Sequence, residues 1–145
     1  QPSRDMPRAG WLRVTAQNDA MALPLSHTVS LKERVVGHHV TDLDSDGQPE
    51  VTVFLRATDF GAEGRVRVFE WDGDGFSVYT MPETLGDALA GYRGGDEFSL
   101  EGKTIVRRFP VYREGDLPAS PNGGSMEVRY ALRDDLLKAD NVELK

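Results

Sequence analysis

The densest set of groups able to do chemistry is the run Asp42-Leu43-Asp44-Ser45-Asp46-Gly47-Gln48-Pro49-Glu50. Asp42, Asp44, Asp46 and Glu50 place carboxylates at positions 1, 3, 5 and 9 of a loop. Gly47 permits a sharp turn, and the backbone carbonyl of Gln48 could supply another oxygen. Calcium wants such hard oxygens. A full EF-hand would set a bidentate Glu at position 12, which here is Val53, and no helical pattern follows. Two readings therefore stay open: a short calcium loop between strands, or an acidic Asx turn without metal. The motif occurs once, which argues against a propeller, where such loops recur with every unit. Calcium is the one ion this sequence suggests, and no cofactor is required.

The other titratable groups point away from catalysis. His38 and His39 are neighbours on an expected strand, so they face opposite ways and cannot share a metal in regular geometry. His27 stands beside Ser26 without a nucleophile motif such as G-x-S-x-G. Asp96-Glu97 and Asp134-Asp135 have the paired carboxylates of a glycosidase, but adjacent strand positions diverge. Solvated turns and ion pairs to arginine account for them more simply. A small hydrolase thus has no motif in its support, and the chain is expected not to be an enzyme.

The elements that must position these groups are strands. Residues 104–116, T-I-V-R-R-F-P-V-Y-R-E-G-D, alternate with Ile105, Arg107, Phe109 and Val111 on one face. Pro110 cannot donate a ladder hydrogen bond, which predicts an edge strand, a bulge or a change of sheet there. Arg107 shares its face with Ile105 and Phe109, so it needs a carboxylate, and Asp96, Glu97 and Asp116 are candidates close by in sequence. Residues 11–15, 29–31, 35–43, 50–56, 65–71, 76–80 and 126–132 read as further strands, residues 98–100 make a hairpin with 103–112 of this strand, and Gly37 reads as a bulge or turn. Residues 136–144 add a last strand through an Asp140-Asn141 turn, and residues 81–91 leave room for a helix of two turns at most. The expected fold is all-β: an antiparallel β-sandwich of about eight short strands with at most one short helix. Residues 1–10 form a flexible arm before a single domain over residues 11–145, with Trp11 and Trp71 as core or hairpin anchors.

Composition agrees with a chain that folds without staples. At 145 residues it can bury a core of its own. It has no Cys, which excludes disulfides, zinc-cysteine sites and thiol catalysis. Seventeen basic against 24 acidic side chains give a net charge of −7, which disfavours nucleic acid as a partner. No apolar run approaches the roughly 20 residues that would span a bilayer, so no membrane insertion is expected. Gln1-Pro2-Ser3 reads as the trimmed end of an exported protein.

Three blocks together resemble the periplasmic inhibitors of invertebrate-type (i-type) lysozyme. They are D-L-D-S-D-G-Q-P-E-V (residues 42–51), Y-R-G-G-D-E-F (92–98) and V-R-R-F-P-V-Y-R-E-G-D (106–116), the last followed by Pro121, Gly123-Gly124 and the strand through Tyr130. Their order and spacing agree over roughly residues 35–132. The resemblance implies a β-sandwich in the periplasm of a Gram-negative bacterium that acts as a protein inhibitor. It also implies a recognition loop after the strand 50–56, entering the cleft of the enzyme near its catalytic carboxylates.

In that family the loop carries S-G-x-Y, and here Phe60-Gly61-Ala62-Glu63 stands in its place with only the glycine kept. Phe60 has no donor for a carboxylate, and an ionised Glu63 would be repelled by one. Either the loop, with Asp59, Phe60, Gly61, Ala62 and Glu63, now meets a different target, or the loop holding Asn122, Gly123 and Gly124 carries the binding. The leading expectation is a lysozyme-inhibitor-like binding protein, with i-type lysozyme as the favoured partner. The alternative is a non-inhibitory, calcium-stabilised β-sandwich module binding an envelope glycan or protein. Pairing of two copies into a homodimer through edge strands stays open.

Overall fold

A computed structural model describes residues 10–19, 21, 23–58, 63–82 and 90–145. Within them lie ten strands and no helix: β1 (Gly10–Ala16), β2 (Leu25–Leu31), β3 (Arg34–Thr41), β4 (Glu50–Arg56), β5 (Gly64–Trp71), β6 (Phe76–Thr80), β7 (Glu97–Glu101), β8 (Thr104–Pro110), β9 (Ser125–Arg133) and β10 (Leu136–Leu144). The expected arm falls almost wholly outside the described residues, as does most of the expected helix.

All pairing is antiparallel, in three sheets ordered β1-β2, β3-β4-β5-β6 and β10-β9-β8-β7. The two larger sheets face each other across Phe54, Val66 and Val68 on one side and Ile105, Phe109, Val128 and Tyr130 on the other. The β1-β2 pair covers the opposite face of the β3-β6 sheet, where Val14 and Leu31 meet Val53, Leu55 and Phe69. The β3-β6 sheet is therefore the middle layer. That is why V-T-V-F-L in β4 is apolar on both faces, where a half-buried strand would alternate. Val53, Leu55 and Phe69 are 1% exposed or less. Each such burial stabilises the fold by about 1.5–3 kcal/mol.

The structure revises four local expectations. Residues 29–31 and 35–41 belong to different sheets, because the chain leaves β2 and enters β3 through Lys32 and Glu33 alone. Strand β8 is an interior strand between β7 and β9, and it tolerates Pro110 because that residue is its last. The β9-β10 turn is Asp134-Asp135, both with positive φ (53° and 57°), as a two-residue primed turn requires. Asp140 sits instead at a bulge between Ala139 and Asn141. Finally, Trp11 is 74% exposed on β1, whereas Trp71 packs edge-on against Phe76 at 5.2 Å between ring centroids. Gly37 does lie at a bulge, where the β3-β4 register shifts.

Strand register sorts the turns into two poles. The residue 42–49 turn, the Gly102-Lys103 turn and the Asp134-Asp135 turn lie at one end, and Lys103 bonds Ser45 across it. The two ends of the β4-β5 connection (residues 57–58 and 63), residues 91–96 and residues 111–124 lie at the other, where Gly64 meets Asp96. The seven residues of β4 separate the poles. At the rise of a strand, that is roughly 20 Å.

Candidate functional site

At the second pole residues 92–98 and 106–116 meet the end of the β4-β5 loop. Asp96 lies beneath the end of the β4-β5 loop, and its side chain is fully buried. One oxygen accepts from Arg107 Nε at 2.5 Å. The other accepts the N–H of Gly64 at 2.8 Å and the hydroxyl of Tyr92. Arg107 also reaches the Tyr130 hydroxyl at 3.3 Å, and its guanidinium lies 5.0 Å from the ring centroids of both Tyr92 and Phe109. Of the candidates Asp96, Glu97 and Asp116, Asp96 is the partner. Burial opposes the charge on Arg107, but Asp96 outweighs it and raises the guanidinium pKa. Burial, reinforced by Asp96, pushes the Tyr92 phenol up to about 12, so it stays a donor at neutral pH.

Only glycine fits at position 64. A Cβ there would lie 2.5 Å from both Asp96 Cβ and Phe98 Cε2. The loop mouth is closed by the Ala57 N–H donating to the Glu63 carbonyl at 2.8 Å, and Thr58 Oγ1 donates to the Lys32 carbonyl at 3.1 Å. Glu63 lies 3.9 Å from Arg65, which with Arg67 also reaches Glu33 at 3.5 and 3.6 Å. A cleft of about 530 Å³ opens beside the mouth, with Glu63, Arg65, Arg67, Thr80, Tyr92 and Arg107 among its lining residues. Arg65 and Arg67 are not residues that the sequence singles out. Their signal was two arginines spaced i, i+2 on one strand face, ambiguous until the loop beside them is placed. Asp59, Phe60, Gly61 and Ala62 lie outside the described residues.

The second candidate loop occupies the same pole. Asp116 accepts the N–H of Arg113 at 2.7 Å, the N–H of Asn122 at 2.8 Å and the Asn122 side-chain amide at 2.9 Å. Those donors hold its carboxyl below the usual range, that of Arg113 most strongly. Gly123 donates to the Val111 carbonyl at 2.8 Å, and Val111 donates to the Gly124 carbonyl at 2.9 Å. Gly123 is buried, while Asn122 and Gly124 are exposed. These internal bonds fix the loop against the end of β8.

At the first pole the acidic turn brings its four carboxylates together. One ligand oxygen from each of Asp42, Asp44, Asp46 and Glu50 lies within 4.8 Å of the others. Asp42 accepts the N–H groups of Asp46 (3.1 Å) and Gly47 (2.9 Å). Asp44 accepts from Asp46 at 3.2 Å, and Asp46 from Gln48 at 2.8 Å. Gly47 has φ +90°, a conformation costly to any other residue type except Asn or Asp. Glu50 is fully buried at the start of β4, and its Oε2 accepts the Leu43 N–H at 2.5 Å. Burial is the main cause that pushes Glu50 up to about 7, with Asp44, Asp46 and Glu70 adding to it against the Leu43 N–H. Burial and then Asp46 also raise Asp44. At Asp42 burial is outweighed by the N–H groups of Gly47 and Asp46 and by Lys103, and the pKa is lowered.

The histidines do not converge. His27 lies 6.0 Å from the Phe69 and Phe76 rings, His39 lies edge-on to Phe54 at 5.6 Å, and His38 is exposed on β3. No family model matches the chain, and no curated protein or solved structure matches it either.

Proposed function

We propose that this protein is a non-catalytic, periplasmic binding module of the lysozyme-inhibitor type, which presents its β4-β5 loop to the active-site cleft of an i-type lysozyme. The observation that carries this reading is the convergence on Asp96. The residues that hold it come from the second resembling block (Tyr92), the third (Arg107) and the end of the loop itself (Gly64). A loop built to enter a cleft gains affinity from a preorganised base, because less ordering entropy is lost on binding. Asp96, Gly64 and the Ala57–Glu63 bond supply such a base. The Arg65 guanidinium beside Glu63 moderates the charge that this carboxylate would bring near an enzyme carboxylate. Phe60 is then the apolar anchor.

Turbidity assays with purified i-type, c-type and g-type lysozymes test the reading. Inhibition of the i-type enzyme is expected. Failure to inhibit any of the three would sink the proposal.

A further inference from the structure

The pole opposite the loop has chemistry that the binding reading leaves unused. Glu50 has no exposed surface, yet its Oε1 has no hydrogen-bond donor among the described residues. Buried carboxylate oxygens are rarely left so, because each has lost its water without replacement. Glu50 shares its site with Asp42, Asp44 and Asp46. The hydrogen bonds of the turn come from backbone N–H groups and leave each carboxylate further lone pairs. The nearby cation is Lys103, whose ammonium bonds Ser45 Oγ. Glu70 adds negative charge and is held by the Tyr79 hydroxyl at 2.5 Å.

We propose that Asp42, Asp44, Asp46 and Glu50 form a calcium site that locks the β3-β4 turn onto the buried start of β4. The dimensions fit this ion. Calcium–oxygen bonds of about 2.3–2.6 Å set a shell about 4.6–5.2 Å across, which accommodates oxygens that lie within 4.8 Å of one another. Magnesium draws its shell in to about 4.2 Å and holds its waters tightly, so it suits a compact set of carboxylates less well. The unpartnered oxygen of Glu50 takes the place that a helix-borne Glu holds in an EF-hand: it ties the ion to a secondary-structure element. The site lies a strand's length from the loop, and its existence does not depend on the partner of that loop.

The test uses the full chain freed of metal with chelator, then titrated with calcium chloride or magnesium chloride by calorimetry and thermal melting. One calcium is expected to bind and raise Tm at concentrations on the order of 1 mM or below, with a much weaker magnesium response. Asp44→Asn keeps the shape of a partly exposed residue and should weaken calcium binding roughly tenfold or more. Glu50→Gln removes a buried charge, so it should fold without metal and lose the calcium-dependent rise in Tm. Absence of calcium binding by the unaltered chain would overturn the site. So would an equal calcium response in the unaltered chain and in Asp44→Asn, because any bound ion would then lie elsewhere.

Discussion

Asp96 grips Arg107 with one carboxylate oxygen at 2.5 Å and, with the other, the N–H of Gly64, 32 residues earlier in the chain. A single buried side chain thus joins the two large sheets and fixes where a loop ends.

Breaking that pair from one side leaves the other charge stranded. Arg107→Met should cost about 3–5 kcal/mol in urea denaturation, because among the described residues the Asp96 carboxylate would keep only Tyr92 and Gly64 as donors. Replacing both charges, Arg107→Met with Asp96→Asn, should cost less than the sum of the single changes. Additive effects in that cycle would show that the two residues do not act as a pair.

Gly64→Ala forces a Cβ to within 2.5 Å of Asp96 and Phe98. The expected penalty is about 1–3 kcal/mol, as for other overpacked sites. On the proposed function it should also weaken binding, because the end of the loop must shift. A variant with unchanged Tm would mean that the loop base yields freely.

Phe60→Ala with Glu63→Ala tests recognition rather than scaffold. The pair should reduce inhibition of i-type lysozyme by tenfold or more, about 1.4 kcal/mol, since an apolar anchor would be lost. Tm should move little, because the Glu63 bond that closes the loop comes from its backbone carbonyl. A collapse of stability would assign these residues to structure.

Acid should loosen the residue 113–122 loop. The folded pKa of Asp116 lies below its unfolded value, so the unfolded chain takes up the proton more readily. The stabilisation is complete at neutral pH and declines as pH falls below the ordinary carboxylate range. Asp116→Asn should lower Tm at pH 7 and flatten its decline in acid. Parallel Tm curves for the two proteins would exclude Asp116 as the titrating group.

Much of this was legible in the sequence because the periodicities are local. The hairpins 65–80 and 97–110, the bulge at Gly37 and the convergence of Asp42, Asp44, Asp46 and Glu50 follow from neighbours within a few residues. What escaped depends on a third layer or on unusual backbone. No pattern within β4 says that a separate hairpin covers its second face. Asp134 and Asp135 adopt positive φ, which aspartate tolerates without advertising it, so Asp140-Asn141 looked the better turn. Arg107 announced its need for a carboxylate, and Asp96, Glu97, Glu101, Glu114 and Asp116 were all near. Choosing Asp96 required knowing that residues 92–96 return beside the end of β8, where Tyr92 bridges Val111.

The strand order bears on how the molecule assembles. In each four-stranded sheet every strand pairs with its neighbour in sequence, so both meanders rest on local contacts that close early in folding. The bond from Gly64 to Asp96 spans them and can form only once the sheets have docked. A chain that has made its meanders but not yet joined them has no fixed loop base, so on the proposed function competence to bind should arrive last and only in molecules that have finished folding.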